Sequence, residues 1–187
     1  MNRLSAIGFC SAITLLASGC ASVAPAYSPS LENVQTLKNG GTAPVKLGTF
    51  ASTAGSDNRE TLSMRGSTLS SPYNNSYAAY LSEALKQELT LANRLAPAAG
   101  TEVNGTLLKN TVDASGFTTG SADVSARFVV KKGGQVSYDQ VKSIHHEFPS
   151  SFAGAVAIPR AIQEYAFAVQ KLLGQLYSDA GFIAAIK

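Results

Sequence analysis

Cysteine is nearly absent. The 187 residues hold two, Cys10 and Cys20, both in the first twenty. No thiol is left beyond Cys20 for an internal disulfide, a thiolate zinc site or a cysteine nucleophile. Tryptophan is missing altogether, which removes the commonest flat platform for sugars and bases. Charge is sparse, 14% of residues, and nearly balanced at a net +3. The longest basic run is the pair Lys131-Lys132, so there is no basic stripe for nucleic acid. Histidine occurs twice, as the adjacent His145 and His146. Neighbours on a strand point to opposite faces, so these two cannot readily grip one metal ion. No serine sits in a G-x-S-x-G elbow, the glycines form no phosphate loop, and the acids are scattered singly. These absences lead us to expect no enzyme, no cofactor and no metal site. Nor is there an apolar run of the roughly 20 residues that a membrane span needs.

What is present begins with residues 1–19. Arg3 opens the segment, an apolar run from Ala6 to Ala17 follows, diluted by Ser11 and Thr14, and small residues close it. This is the layout of a secretory signal peptide. An ordinary secretion signal with an incidental cysteine is the rival reading. The segment Leu15-Leu16-Ala17-Ser18-Gly19-Cys20 resembles the lipobox of bacterial lipoproteins. That family usually has leucine three residues before the cysteine, where this chain has Ala17. The resemblance implies cleavage before Cys20 and acylation, palmitate included, on its thiol and amine. Ala21 and Ser22 follow, with no aspartate to retain the protein at the inner membrane. By likeness to enterobacterial lipoproteins, this implies the outer membrane, facing the periplasm.

Removing nineteen of 187 residues leaves 168, enough for one domain with its own core. One base, Arg3, leaves with them, so 14 of the 15 Lys and Arg remain beside all 12 Asp and Glu. Residues 20–43 are rich in Ala, Ser, Pro, Gly and Asn and predict a lipidated N-terminus and flexible tether, with an r.m.s. span of ~25 Å. The rival is a short helical stripe, Leu31, Val34 and Leu37, docked on the domain.

Residues 44–187 predict a single periplasmic domain. Val45–Phe50 alternates as a strand, and Glu60–Leu69 reads as a second. Asn74, Asn75 or Ser76 can cap a helix from Tyr77 to Leu95 whose stripe is Leu81, Leu85 and Leu89, with Lys86 on the opposite face. Strands over Glu102–Val112, Asp123–Lys131 and Gln135–Phe148 follow, the last two joined by a tight turn at Gly133-Gly134. Val136, Tyr138, Ile144, His146 and Phe148 share a face. His146 should therefore be the more buried histidine, and His145 should titrate like a free one. A second helix from Ile158-Pro159 to Ser178 carries Ile162, Tyr165, Val169, Leu172, Leu173 and Leu176. An apolar tail, Phe182, Ile183 and Ile186, is either docked or offered to a partner. The fold class is α+β: a mostly antiparallel sheet with two amphipathic helices packed on one face.

Three groups of envelope lipoproteins have a similar order of elements. In the auxiliary lipoproteins of ABC-type lipid transport systems, a helix like Ala84-Leu85-Lys86-Gln87-Glu88-Leu89 precedes a strand like Val103-Asn104-Gly105-Thr106-Leu107-Leu108. A hairpin like Ala126-Arg127-Phe128-Val129-Val130 and a final amphipathic helix complete the unit. The lipoprotein of the lipopolysaccharide-assembly translocon and a set of uncharacterised periplasmic lipoproteins resemble the same plan. The likeness runs from about Val45 to Phe182 and includes no functional motif. It implies an accessory or scaffold in an envelope complex, with lipid transport or assembly as the process, the membrane engaged through Cys20, and an envelope protein as partner. The alternative is a periplasmic ligand-binding lipoprotein with a pocket between sheet and helices.

Overall fold

The computed structural model describes residues 21–187. The expected signal peptide, 1–19, and the expected acylation site, Cys20, lie outside the described residues. The fold is α+β. Its elements are β1 (Ala21–Val23), α1 (Leu31–Asn39), β2 (Lys46–Ser52), β3 (Thr61–Met64), β4 (Ser67–Ser70), α2 (Tyr77–Leu91), β5 (Thr101–Asp113), β6 (Thr119–Lys132), β7 (Gln135–Pro149), α3 (Gly154–Tyr177) and α4 (Ala180–Ala185).

The main sheet has the order β2-β5-β6-β7. Its β5–β6 and β6–β7 pairs are antiparallel, while β2 lies parallel to β5. The parallel edge follows from connectivity: α2 lies between β2 and β5 and carries the chain back to the end from which β2 started. The tight turn forms at Gly133 and Gly134, with φ of 58° and 84°, a combination that glycine adopts without strain. In the β6–β7 pair the register shifts between Val130 and Lys131, so Tyr138 faces Val130 while Val136 faces Lys131. The extra residue turns Val136 outward, against the face expected for it, and leaves it 58% exposed.

The stretch 60–69, expected as one strand, is the hairpin β3–β4. Arg65 and Gly66 both have positive φ, 48° and 79°, and close it in a primed turn. Arginine is a rare occupant of that conformation, so the turn lacks the usual Asn-Gly signature.

The sheet's inner face is Val103, Leu107, Val124, Ala126, Phe128 and Val130, all buried. Against it pack α2, through Leu81, Leu85 and Leu89, and α3, through Tyr165, Val169, Leu172, Leu173 and Leu176. Each such side chain contributes about 1.5–3 kcal/mol by leaving water. Ser76 caps α2, accepting from the Ala79 amide at 3.1 Å. The helix stops at Leu91, four residues before the expected end, because Asn93 takes a left-handed φ of 56°. Helix α3 begins at Gly154, earlier than expected, with Pro159 inside it. The apolar tail is docked: Phe182 and Ile186 are fully buried. Asp179 caps α4 by accepting from the Gly181 amide at 2.7 Å. The Lys142 ammonium beside it, with the Tyr138 hydroxyl, holds its carboxyl down at about 2.

Residues 21–39, expected within the tether, are part of the folded body. Strand β1 adds to β4 in a second sheet, β1-β4-β3, with Ala21 opposite Thr68 and Val23 opposite Ser70. Ala24 and Tyr27 are buried. Helix α1 docks through Val34 and Leu37, while Leu31 stays 82% exposed. The reason is a polar anchor within the core. Glu88 of α2 is fully buried. It accepts from the Tyr27 hydroxyl at 2.6 Å, the Ser30 amide at 2.9 Å and the Asn33 amide group at 3.2 Å. A buried carboxylate needs such donors, and the N-terminal segment supplies them.

Candidate functional site

The two histidines are the sequence's best hint of chemistry, and β7 sends them to opposite faces. His145 is exposed. Its Nδ1 lies 2.9 Å from Asp123 and its Nε2 3.6 Å from Glu147. The hydrogen bond to Asp123 raises its pKa above the ordinary value, correcting the expectation of a free histidine. His146 is buried at the sheet edge, with Nε2 2.7 Å from Glu164 and Nδ1 2.8 Å from the Lys171 ammonium. An ammonium only donates and a carboxylate only accepts, so this arrangement fits a ring carrying its proton on Nε2. Arg160 closes the row, 2.8 Å from the second Glu164 oxygen. Among the described residues no three His, Cys, Asp or Glu side chains gather as a metal site.

Core side chains pack the sheet's inner face against α2 and α3, and the concavity near His146 opens at the β7 edge of the sheet. It is a groove of about 640 Å³ between α1 and α3, open to solvent, with Asn33, Thr36, His146, Phe167 and Lys171 among its walls. Phe167 stands half exposed there. The sequence pattern carries a signal for part of this site. Glu164 falls three residues after Ala161 and four before Ala168, on the apolar stripe of α3, where an acid needs partners.

A second feature lies in loops and carries no periodic signal. The Arg65 side chain leaves the β3–β4 turn and donates to backbone carbonyls of two other loops. Its acceptors are Ala114 and Gly116 (3.0 Å) in the β5–β6 loop, and Ser151 and Phe152 (both 2.7 Å) in the β7–α3 loop. The two loops are also joined by the Ser150 amide donating to Thr118 at 2.8 Å. Gly116 bends so tightly that a Cβ there would meet the Thr119 carbonyl at 2.0 Å. Together these bonds hold Phe117 and Phe152 side by side, with ring centroids 5.4 Å apart, at 69% and 77% exposure.

The resulting architecture defines a class, an α+β sheet-and-helix domain with its N-terminal segment built into the core. No family model matches the chain, and no curated protein matches its sequence. Solved structures do match. A Xanthomonas campestris protein of family DUF330 superposes with a TM-score of 0.57 at 10% identity, over 85% of this chain and 93% of that one. A candidate lipoprotein from Caulobacter crescentus gives 0.48 at 12% identity, over 82% and 96%. A minor lipoprotein from Acinetobacter baumannii gives 0.43 at 12% identity, over 75% and 92%. The chain shares the fold of the Xanthomonas protein.

Proposed function

We propose that this chain is a bacterial envelope lipoprotein, held by acyl chains on Cys20 at the outer membrane and facing the periplasm. It acts without catalysis, as an accessory or scaffold in an envelope complex that moves or assembles lipid. One observation carries the reading. Ala21, the residue directly after the lipobox cysteine, is already part of a strand, and β1 is hydrogen-bonded into a sheet from there. A mature chain beginning at Cys20 retains β1 and its pairing with β4, so its lipid anchor joins the folded body without an intervening tether. The groove beside His146 offers one polar, half-apolar surface for a protein partner. The near-balanced charge does not suit nucleic acid.

The test is a pair of measurements. Mass spectrometry of the N-terminal peptide should show a diacylglyceryl-modified Cys20, and Cys20→Ser should abolish that mass and leave unprocessed or mislocalised protein. A mature chain starting elsewhere, without acyl groups, overturns the reading. Fractionation should then place the protein in the outer membrane, and detergent extraction should bring an envelope protein with it. A second reading, ligand binding, draws on the same groove. Native mass spectrometry that finds a retained small molecule and no protein partner favours it instead.

A further inference from the structure

We infer that the end of the molecule bearing Phe117 and Phe152 lies directly on the bilayer that holds the acyl chains of Cys20. The inference rests on the lipoprotein reading and adds to it a second membrane contact and a fixed orientation. It starts from where the chain enters the fold. Strand β1 runs parallel to β4, with Ala21 opposite Thr68. The entering end of β1 is therefore the end of β4 that carries the Arg65-Gly66 turn. That turn is the one whose arginine clasps the loops of Phe117 and Phe152. Ala21, to which the cysteine is bonded, and the two exposed rings belong to the same end of the domain.

The distance from anchor to domain is short. Consecutive Cα atoms are about 3.8 Å apart, so the cysteine next to Ala21 cannot stand far from the sheet. The flexible tether that composition predicted would have let the domain float. A structured Ala21–Val23 does not. The chemistry of the tip agrees. Residues 114–118 and 150–153 contain Ala, Ser, Gly, Phe, Thr and no charged side chain. Exposed rings among hydroxyls match the bilayer interface, where apolar bodies sink to headgroup depth and polar neighbours stay hydrated. Two adjacent phenylalanines held out by backbone hydrogen bonds are costly in water and find cover in lipid. More than one acyl chain already gives firm attachment; what the rings add is an orientation.

The absence of tryptophan makes a direct test available. Phe117→Trp and Phe152→Trp each give the full-length, lipidated protein one fluorescent reporter. Val136→Trp is the control: Val136 is exposed beside the Gly133-Gly134 turn, about 45 Å away along the 14 residues of β6. Each variant is reconstituted into phosphatidylethanolamine–phosphatidylglycerol vesicles with acyl-brominated lipid, after its thermal unfolding is matched to the parent. The indoles at positions 117 and 152 should lose most of their emission to the bromines and shift to the blue, while the indole at position 136 should stay quenchable by aqueous acrylamide. Protein that carries the acyl mass and floats with the vesicles, yet keeps the reporters at 117 and 152 bright and acrylamide-accessible, overturns the inference and leaves the lipoprotein reading intact. Reporters shielded from acrylamide but untouched by bromine overturn it too, in favour of a protein surface. A chain without acyl mass that does not float overturns both.

Discussion

The hydroxyl of Tyr27 donates a 2.6 Å hydrogen bond to Glu88, joining the N-terminal segment to a carboxyl group with no exposure to solvent. The Tyr80 hydroxyl, in the same tyrosine cluster, has no hydrogen-bond partner among the described residues. The two phenols should answer oppositely to removal of one oxygen. Tyr27→Phe takes away a bond to a group that stays buried, and should cost about 1.5–3 kcal/mol. Tyr80→Phe removes only an unpaired polar atom and should be neutral or mildly stabilising. Urea denaturation of both variants measures the difference; equal losses would contradict the assignment of these partners.

Glu88 also makes a prediction about pH. Burial raises its pKa above the ordinary 4.5, and the donors around it offset only part of the rise. A raised folded-state value means stability is greatest below the unfolded pKa and declines as pH climbs through the folded one. Relative to Glu88→Gln, which cannot ionise, the parent protein should therefore lose stability as pH rises above about 4.5. Paired denaturation curves across that range check the sign, and a constant gap between the two proteins would refute it.

Leu85 and Leu173 are each fully buried at the centres of the two helical stripes facing the sheet. Truncation to alanine should cost about 2–5 kcal/mol at either site. Lys86, one residue from Leu85, is exposed and pairs with Glu83 at 3.0 Å. Lys86→Ala should change stability by no more than about 0.5 kcal/mol. Thermal melts of the three variants settle the facing of both helices.

On the outer face of the sheet, His145 depends on Asp123. Asp123→Asn should return the His145 titration downward toward 6.5, because the chief cause of its rise is that hydrogen bond. The sign follows: stability linked to protonated His145 is present at low pH and fades as pH rises through its folded value. NMR titration of the ring protons before and after the substitution gives the shift. An unchanged curve would show that Glu147, not Asp123, governs the ring.

Much of the main sheet and both long helices are legible in the sequence because their signals are periodic. Leu81, Leu85 and Leu89 repeat every four residues, and Val124, Ala126, Phe128 and Val130 every two, with paired glycines where a tight turn must fall. The N-terminal segment shows only the short stripe Leu31, Val34 and Leu37, the rival to a tether, and for a physical reason its docking is not otherwise legible. Its few apolar residues, Val34 and Leu37, are too sparse for pattern alone, and its docking is secured by polar bonds to Glu88. That glutamate lies on the leucine stripe, seven residues after Leu81 and three after Leu85, which is the available sign that something must come to meet it. The bulge that turns Val136 outward and the arginine in the β3–β4 turn are set by tertiary contacts and leave no periodic trace. Phe117 and Phe152 lie 35 residues apart, and only the folded chain brings their rings together.

Arg94 tests how far the ends of the chain are tied. It is fully buried, its charge disfavoured by burial, and it donates to the carbonyls of Leu37 (3.3 Å), Ala43 (3.1 Å) and Ile186. Arg94→Ala should orphan several acceptors at once and cost roughly 3–5 kcal/mol, at the upper end for one substitution. Arg94→Lys should recover little of that, since an ammonium cannot span a guanidinium fork. Equilibrium unfolding of the two variants provides the comparison, and near-parental stability of the lysine variant would contradict it.

The same arginine has a consequence in time. Its three acceptors come from residues 37, 43 and 186, so this knot cannot be completed until residue 186 has been synthesised. Until then the guanidinium can reach the Leu37 and Ala43 carbonyls but not its third acceptor, the Ile186 carbonyl. A polypeptide wired this way leaves this contact incomplete until residue 186 can reach the guanidinium, so the two sequence-distant parts it joins are fastened in one step.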